Sequence, residues 1–447
     1  MKNSILFFII IYCSNLFAQQ STSIQREKYQ FSNEVYRFFV DENSFFLTAQ
    51  LQGTVNNVNG KLQGIITQYD LNTGKVSWSS RENYKNLRLF QTDKQLILSN
   101  SEQSRFINSK TNSSFDTKHQ VYFVSQKNNI ALGYKTDLYK TDYYLEGINL
   151  TNGNILWKTK VPRNFGWNEV LYLNDTTLLI ASDGLHSVNL ANGGGWHYAA
   201  TTGQKNYNAG KTAGNIGMGL LLIFGGFGYF YIGENLLYNV NSNVLIDNDF
   251  IYFASMKEIV KIDKNSGNII WKKDLPKKEA SNSLLFEKDN LIVMINQGFA
   301  NFDDTTIPYG KPFFAAFNKE TGEQKYFSYT NNSYYLVDIY ITDDNNNFFS
   351  LKKSDETKLF LSPDKKIFIL DEYFNINKTK NYEDFYVFYA EIGENKLIGN
   401  ATKTFIIDKN GAKLAEIPAS YNAVLKGNKL FEKKGNIIEV INLEKYK

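Results

Sequence analysis

The phrase "IDKNSGNIIW" at residues 262–271 is one of a set, and that set restricts the fold more than any other feature of the chain. "YDLNTGKVSW" ends at Trp78, "INLTNGNILW" at Trp157 and "FNKETGEQKY" at Tyr326. Each copy has an alternating stretch ending in Asp or Asn, a four-residue turn closing on Gly, and a second alternating stretch with an aromatic. The opening Asp or Asn can accept backbone N–H groups, and the glycine can supply the positive φ that closes the turn. The second stretch then returns antiparallel, and its aromatic offers a broad apolar face to a neighbouring unit.

The motif glycines are Gly74, Gly153, Gly193, Gly267, Gly322 and Gly411, with Trp78, Trp157, Trp196, Trp271 and Tyr326 following the first five. Successive glycines are 79, 40, 74, 55 and 89 residues apart. These steps fit units of about 40 residues, some of them doubled or lengthened. A degraded copy, "FINSKTNSSF" at 106–115, lacks the glycine. Short apolar strands such as 96–98, 177–180, 250–253 and 290–294 fall between the turns. Three or four short strands per unit is the pattern of a propeller blade, and such blades must stack radially because a lone sheet cannot bury both faces. Composition agrees, since 34 Phe and 29 Tyr against 6 Pro suit strands joined by Asn-rich turns.

The expected fold is therefore an all-β propeller of eight blades, with seven as the alternative. Candidate units lie at 35–80, 86–116, 119–160, 168–200, 236–276, 282–328, 335–378 and 384–418. Tail strands near 422–425, 429–431 and 437–441 would close the ring with an N-terminal strand near Tyr29-Gln30-Phe31, removing the last exposed edge. With the closing unit the tally is nine, so one unit is expected to drop out, and the weak one at 86–116 is the choice.

The phrases at 69–78, 148–157, 262–271 and 317–326 resemble the repeat of the PQQ-like (quinoprotein-type) β-propellers. In that family the repeat docks each blade against the next, so the resemblance implies a docking role for the motif glycines and aromatics. It covers most of the chain. The family includes quinone-dependent dehydrogenases and also non-catalytic members, among them a propeller subunit of the outer-membrane protein assembly machinery. In character the chain is similar to the non-catalytic kind. The family's enzymes are expected to carry a vicinal disulfide over the quinone, an acidic base and a bound calcium.

Little in the sequence could serve such chemistry. Lys2, an apolar run from Ile5 to Tyr12 and Ala18 ahead of Gln19-Gln20 read as a secretory signal peptide over 1–18, too short to span a bilayer. Residues 19–447 then form one propeller domain. Cys13, the only cysteine, leaves with the signal, and the bulky Tyr12 before it argues against lipidation. The mature chain has no disulfide and no thiol nucleophile. The run Asp343-Asp344-Asn345-Asn346-Asn347 lacks calcium-loop spacing and reads as a solvated turn. His119, His186 and His197 show no ligand spacing. "AGKT" at 209–212 has Lys205 where a phosphate loop needs its first glycine. No catalytic residue, metal ligand or cofactor site is expected. A formal charge of +4 gives no reason to expect nucleic acid as a partner.

One segment breaks the pattern. The insertion at 201–234 contains "GNIGMGLLLIFGGFGYFYIG" at 214–233, which carries no charged residue. It could pack on its own propeller, enter a membrane interface or meet a protein partner, and the contact residues would be Leu221, Phe224, Phe227, Tyr229, Phe230 and Tyr231. A single crossing is excluded, because one closed ring cannot lie on both sides of a bilayer. The expected function is a non-catalytic exported scaffold at or near the envelope membrane, in the periplasm, associated with the outer membrane, or secreted. Its partner would be an envelope protein, with peripheral membrane contact through 214–233. The alternatives are small-ligand or glycan binding through aromatics such as Trp167, Trp196 and Tyr198, and an envelope enzyme with a central-channel site.

Overall fold

A computed structural model of the chain describes residues 25–41, 45–53, 63–82, 87–136, 143–207, 236–302, 305–330, 335–336, 339–342, 347–350, 359–361, 367–370, 376–378 and 385–447. Their regular structure is β-strand, apart from a 3-10 turn at Glu444–Tyr446. The strands form eight four-stranded sheets, one of six and one of three. The first is typical. Val35–Val40, Phe46–Leu51, Gly64–Asp70 and Lys75–Glu82 form an antiparallel meander in chain order.

Side chains that alternate across each sheet fill the seams with the two neighbouring sheets. Ile66 meets Leu89 and Leu98 between sheets 35–82 and 88–117, and Phe106 meets Val121 and Ala131 at the next seam. Tyr134 and Trp157 of 119–160 pack with Leu178 and Ile180 of 169–199, whose other face meets Ile251 and Phe253 of 245–274. Tyr252 and Trp271 continue the core onto Ile292 and Phe317 of 283–329. At the other end, Leu397 and Ile406 pack on Leu430 and Ile441 of the closing sheet, which meets Leu47 and Ala49. This radial succession of sheets is a β-propeller. Arg26–Gln30 closes it by pairing antiparallel with Ile437–Asn442, Tyr29 standing opposite Ile438.

The unit expected to drop out is complete, since residues 88–117 form a full four-stranded sheet. Its turn lacks glycine because Asn112 adopts φ +57° there, and Asn tolerates that region better than other side chains. The unit placed at 236–276 has its first paired strand at Leu245–Asp247, and Leu237–Tyr238 belongs to the three-stranded sheet instead.

The repeat turn closes the same way in five copies, while the Gly411 N–H donates three residues back, to Asp408 O. The Gly74, Gly153, Gly193, Gly267 and Gly322 N–H groups donate to the carbonyl four residues back, at 2.7–2.9 Å. Asp70, Asp263 and Asn318 each accept two backbone N–H groups with Oδ1. These bonds from Ser266 and Asn265 hold the Asp263 carboxyl below its usual range.

Four successive seams are then locked by an aromatic from one sheet lying over the glycine of the next. A Cβ on Gly193 would stand 2.6 Å from the Trp157 ring, one on Gly267 2.6 Å from Trp196, and one on Gly322 2.6 Å from Trp271. Phe115 covers Gly153 in the same manner. The indole Nε1 groups donate to Leu190 O, Lys264 O and Lys319 O, each three residues before the covered glycine, at 2.7, 3.0 and 3.1 Å. Trp78 is half-buried against Ile66 and Leu98, beside the Asn112 turn whose amide donates to Ser77 O. Tyr326 packs with Phe286 and Phe314 of its own sheet. Nothing lies within 4 Å of a Cβ on Gly74, and Gly411 instead meets the backbone of Phe348.

Candidate interaction surface

Antiparallel succession sorts the connections of each meander onto two edges. The repeat turns and first hairpins occupy one. The other carries the links between sheets and between second and third strands, including the long ones from 51 to 64, 135 to 144, 199 to 245 and 296 to 313. Two of these meet.

The insertion leaves and returns at a single point. Gln204 and Leu237 exchange backbone bonds of 2.8 and 3.0 Å, so residues 205 and 236 emerge side by side. Val240 N donates to Thr202 O, Met256 N to Thr201 O, and the Thr202 hydroxyl to Ser182 O, which fixes both limbs to sheets 169–199 and 245–274. Leu237–Tyr238 then pairs with Phe299–Phe302, which pairs with Thr305–Pro308. That hairpin comes from sheet 283–329. The small sheet buries Leu237, Val240, Ala300 and Ile307, and half-buried Tyr207, Met256, Phe302 and Tyr309 surround them. The Tyr207 ring lies 5.9 Å from both Phe302 and Tyr309. Burial, and then Tyr207, raise the Tyr309 pKa.

A polar tie secures the other flank. Lys205 Nζ donates to Asn164 Oδ1 at 2.6 Å, as does the Tyr143 hydroxyl at 3.1 Å. The Asn164 side-chain amide and the Asn164 and Phe165 N–H groups donate to Asp183. Burial raises the Asp183 pKa against these bonds and the nearby Lys205.

Leu221, Phe224, Phe227, Tyr229, Phe230 and Tyr231 lie outside the described residues, as do 1–18 and Asp343 to Asn346. No helix among the described residues is long and apolar enough to cross a membrane. Nor do the described residues contain a group of three His, Cys, Asp or Glu side chains able to hold a metal ion. His119 Nε2 sits 2.6 Å from Glu146, which Lys158 also contacts at 3.2 Å. Cross-strand pairing brings His186 opposite His197 with ring centroids 6.4 Å apart, a proximity invisible in their spacing along the chain. Trp167 and Tyr198 are buried, while Trp196 is half-buried. The 299–308 hairpin escaped sequence reading. Its only signal was the 55-residue step from Gly267 to Gly322, long for one unit.

A family model described as outer membrane protein assembly factor BamB matches residues 37–273. Among solved structures, the chain is similar to BamB from Moraxella catarrhalis, at 11% identity over 93% of this chain and 98% of that one, with a TM-score of 0.39. It is also similar to the computationally designed Ika8 protein, at 11% identity over 92% and 97%, with a TM-score of 0.38. The WD40 domain of SCAP from fission yeast aligns at 8% identity over 94% and 98%, with a TM-score of 0.33. No match is found among curated proteins.

Proposed function

The chain belongs to the PQQ-like propeller family of the outer membrane protein assembly factor BamB, and from that premise we propose that it is a non-catalytic, exported interaction scaffold of the cell envelope. Residues 1–18 serve as its signal peptide and 19–447 as a single propeller, with 201–234 as the recognition insertion. The protein works in the periplasm or at the outer membrane, and its partner is an envelope protein.

The observation that carries this reading is the foot of the insertion. Two excursions from different sheets are knitted into one small sheet by Leu237 and Phe302, on the edge that carries the long connections. A scaffold needs a rigid base beneath a variable element, and loops on a rigid frame are where proteins place recognition. The Gln204–Leu237 pair also brings together the two ends of the segment that contains apolar residues 214–233. They can then present Phe224, Phe227 or Tyr231 to a partner or a membrane interface without threading the ring through a bilayer.

The test compares the tagged chain with a variant lacking 208–235, in which residues 205–207 and 236 would form a short hairpin loop beneath the retained Gln204–Leu237 pair. Capture from detergent-solubilised envelopes should yield outer-membrane proteins with the intact chain and none with the variant. Two clean monomers, both in the soluble fraction, would overturn the reading.

A further inference from the structure

Among the copies whose turn carries a glycine, the repeat is shortened at one place that the scaffold reading does not use. After Gly74, Gly153, Gly267 and Gly322 the aromatic stands four residues on, as in Gly153 to Trp157 and Gly267 to Trp271, whereas Trp196 follows Gly193 by three. The outer strands of the other glycine-bearing copies carry a β-bulge after the turn, which leaves Ile155 with Leu156, and Ile269 with Ile270, exposed on the rim, whereas the Asn112 copy, like this one, pairs without a shift. The pairing of His197–Ala199 has no such shift. Gly194 fills the place of Asn154, since its carbonyl accepts Asn189 N as Asn154 O accepts Asn149 N. Gly195 alone therefore replaces the aliphatic pair. It has φ +155°, and a Cβ there would lie 2.0 Å from Ser187 O, so no side chain can stand at this point.

The missing side chains open a groove of about 510 Å³ between sheets 169–199 and 245–274, on the edge opposite the insertion. Its walls are polar yet nearly uncharged. Asn174, Asn189 and Asn192 each commit Oδ1 to a backbone N–H of their own turn, at 3.0, 2.9 and 2.8 Å, leaving the Nδ2 hydrogens to offer to a ligand. Asn265 of the next sheet and the half-buried Trp196 complete the lining. Lys264 is the only ionisable side chain of the lining, and its ammonium is held on Asn248 O.

We propose that this groove binds a neutral saccharide. A polyhydroxyl ligand can satisfy carboxamides, hydroxyls and glycine backbone together, and Trp196 offers an apolar surface for a sugar's C–H groups. An apolar ligand would strip water from the amides without replacing their hydrogen bonds. An acidic ligand would find one cation, already engaged. The inference does not rest on the scaffold reading, because the groove and the insertion lie on opposite edges.

Saturation-transfer NMR of the full chain with glucose, N-acetylglucosamine and maltose, and with glucuronate for comparison, tests it. At least one neutral sugar should give a saturable signal with a dissociation constant of about 1 mM. Asn265→Ala should weaken it about fivefold, the effect of one hydrogen bond. Replacing Gly195 by Ile-Leu, which restores the repeat, should abolish binding. If that variant does not fold, Asn265→Ala decides alone. Absence of saturable binding to all three neutral sugars by a cooperatively folded chain, binding unchanged by Asn265→Ala, or a preference for glucuronate would each overturn the proposal.

Discussion

Alanine at Gly74 and alanine at Gly322 make nearly the same demand on the backbone and very different demands on packing. Both glycines have positive φ, +65° and +69°. A side chain there costs about 1–2 kcal/mol, less a few tenths returned by stiffening the unfolded chain. At Gly74 that is the whole cost, since nothing lies within 4 Å of the new Cβ. At Gly322 the Cβ would stand 2.6 and 2.7 Å from two ring carbons of Trp271, where carbon atoms prefer about 3.5–4.0 Å. The indole must retreat by about 1 Å, which adds roughly 1–3 kcal/mol of overpacking. That movement also strains the Nε1 bond to Lys319 O, 3.1 Å long. Gly322→Ala should therefore cost roughly 2–3 kcal/mol more than Gly74→Ala in urea unfolding. Trp271→Ala alone should cost about 3–5 kcal/mol, and in its background Gly322→Ala should fall to the Gly74 value, giving a coupling of about 2 kcal/mol. Equal costs at the two glycines, or strict additivity of the Gly322–Trp271 cycle, would refute the docking argument.

His186 makes the chain acid-sensitive. Burial, then the neighbouring His197, push its imidazole down to about 4, so the unfolded chain binds a proton that the native one refuses between the ordinary value and that one. Its contribution is complete above about pH 6.5 and is lost as pH falls toward 4, by at most about 3 kcal/mol. Urea midpoints measured across that window should flatten in His186→Leu, and an unchanged slope would show that other groups set it. Glu439 acts at the closing sheet, where Lys434 and Lys28 hold its carboxyl below the usual range at 2.8 and 3.0 Å. Its contribution is present above the ordinary carboxylate pKa and lost as pH falls through the lowered one. Glu439→Gln should speed amide exchange in Arg26–Gln30 roughly fivefold, a loss of about 1 kcal/mol, while exchange in 245–274 stays the same.

The turn grammar was legible because each of its residues has one physical job. Asp70 or Asn318 caps, Gly322 takes positive φ, and Trp271 covers the next glycine. The degraded copy misled because Asn112 performs the glycine's job with a different side chain. The bulge was illegible for a related reason. The unpaired residue is Ser77, Leu156, Ile270 or Lys325 before the aromatic, and Leu414 before Ala415, so position alone defines it and no residue type marks it. The start of the sheet at Leu245 was missed because Leu237 and Val240 look like strand residues, and they are, but in another sheet. The His186–His197 pair follows from the cross-strand register, in the place where Glu146 faces Lys158 in the preceding sheet, which spacing along the chain could not show.

A propeller built from a docking repeat has little freedom wherever the repeat is kept. Trp157 over Gly193 and Trp271 over Gly322 are buried with their indole N–H groups engaged, so these rings have nothing left to offer a partner, whereas Trp196 in the same lock stays half-buried. Capacity for recognition must come from departures. Three departures fall on adjacent sheets: the residue lost before Trp196, the excursion entered at Gln204 and left at Leu237, and the hairpin at Phe299 to Pro308. The first opens the short-turn edge of sheet 169–199, and the other two build on its opposite edge. The seam between 169–199 and 245–274 nevertheless keeps its lock, with Trp196 still over Gly267 and its Nε1 still on Lys264 O. Both edges of that seam were altered while the docking contact between them was retained. That is the pattern expected if the fold tolerates change only where the lock survives, and it places both proposed recognition sites on this pair of sheets.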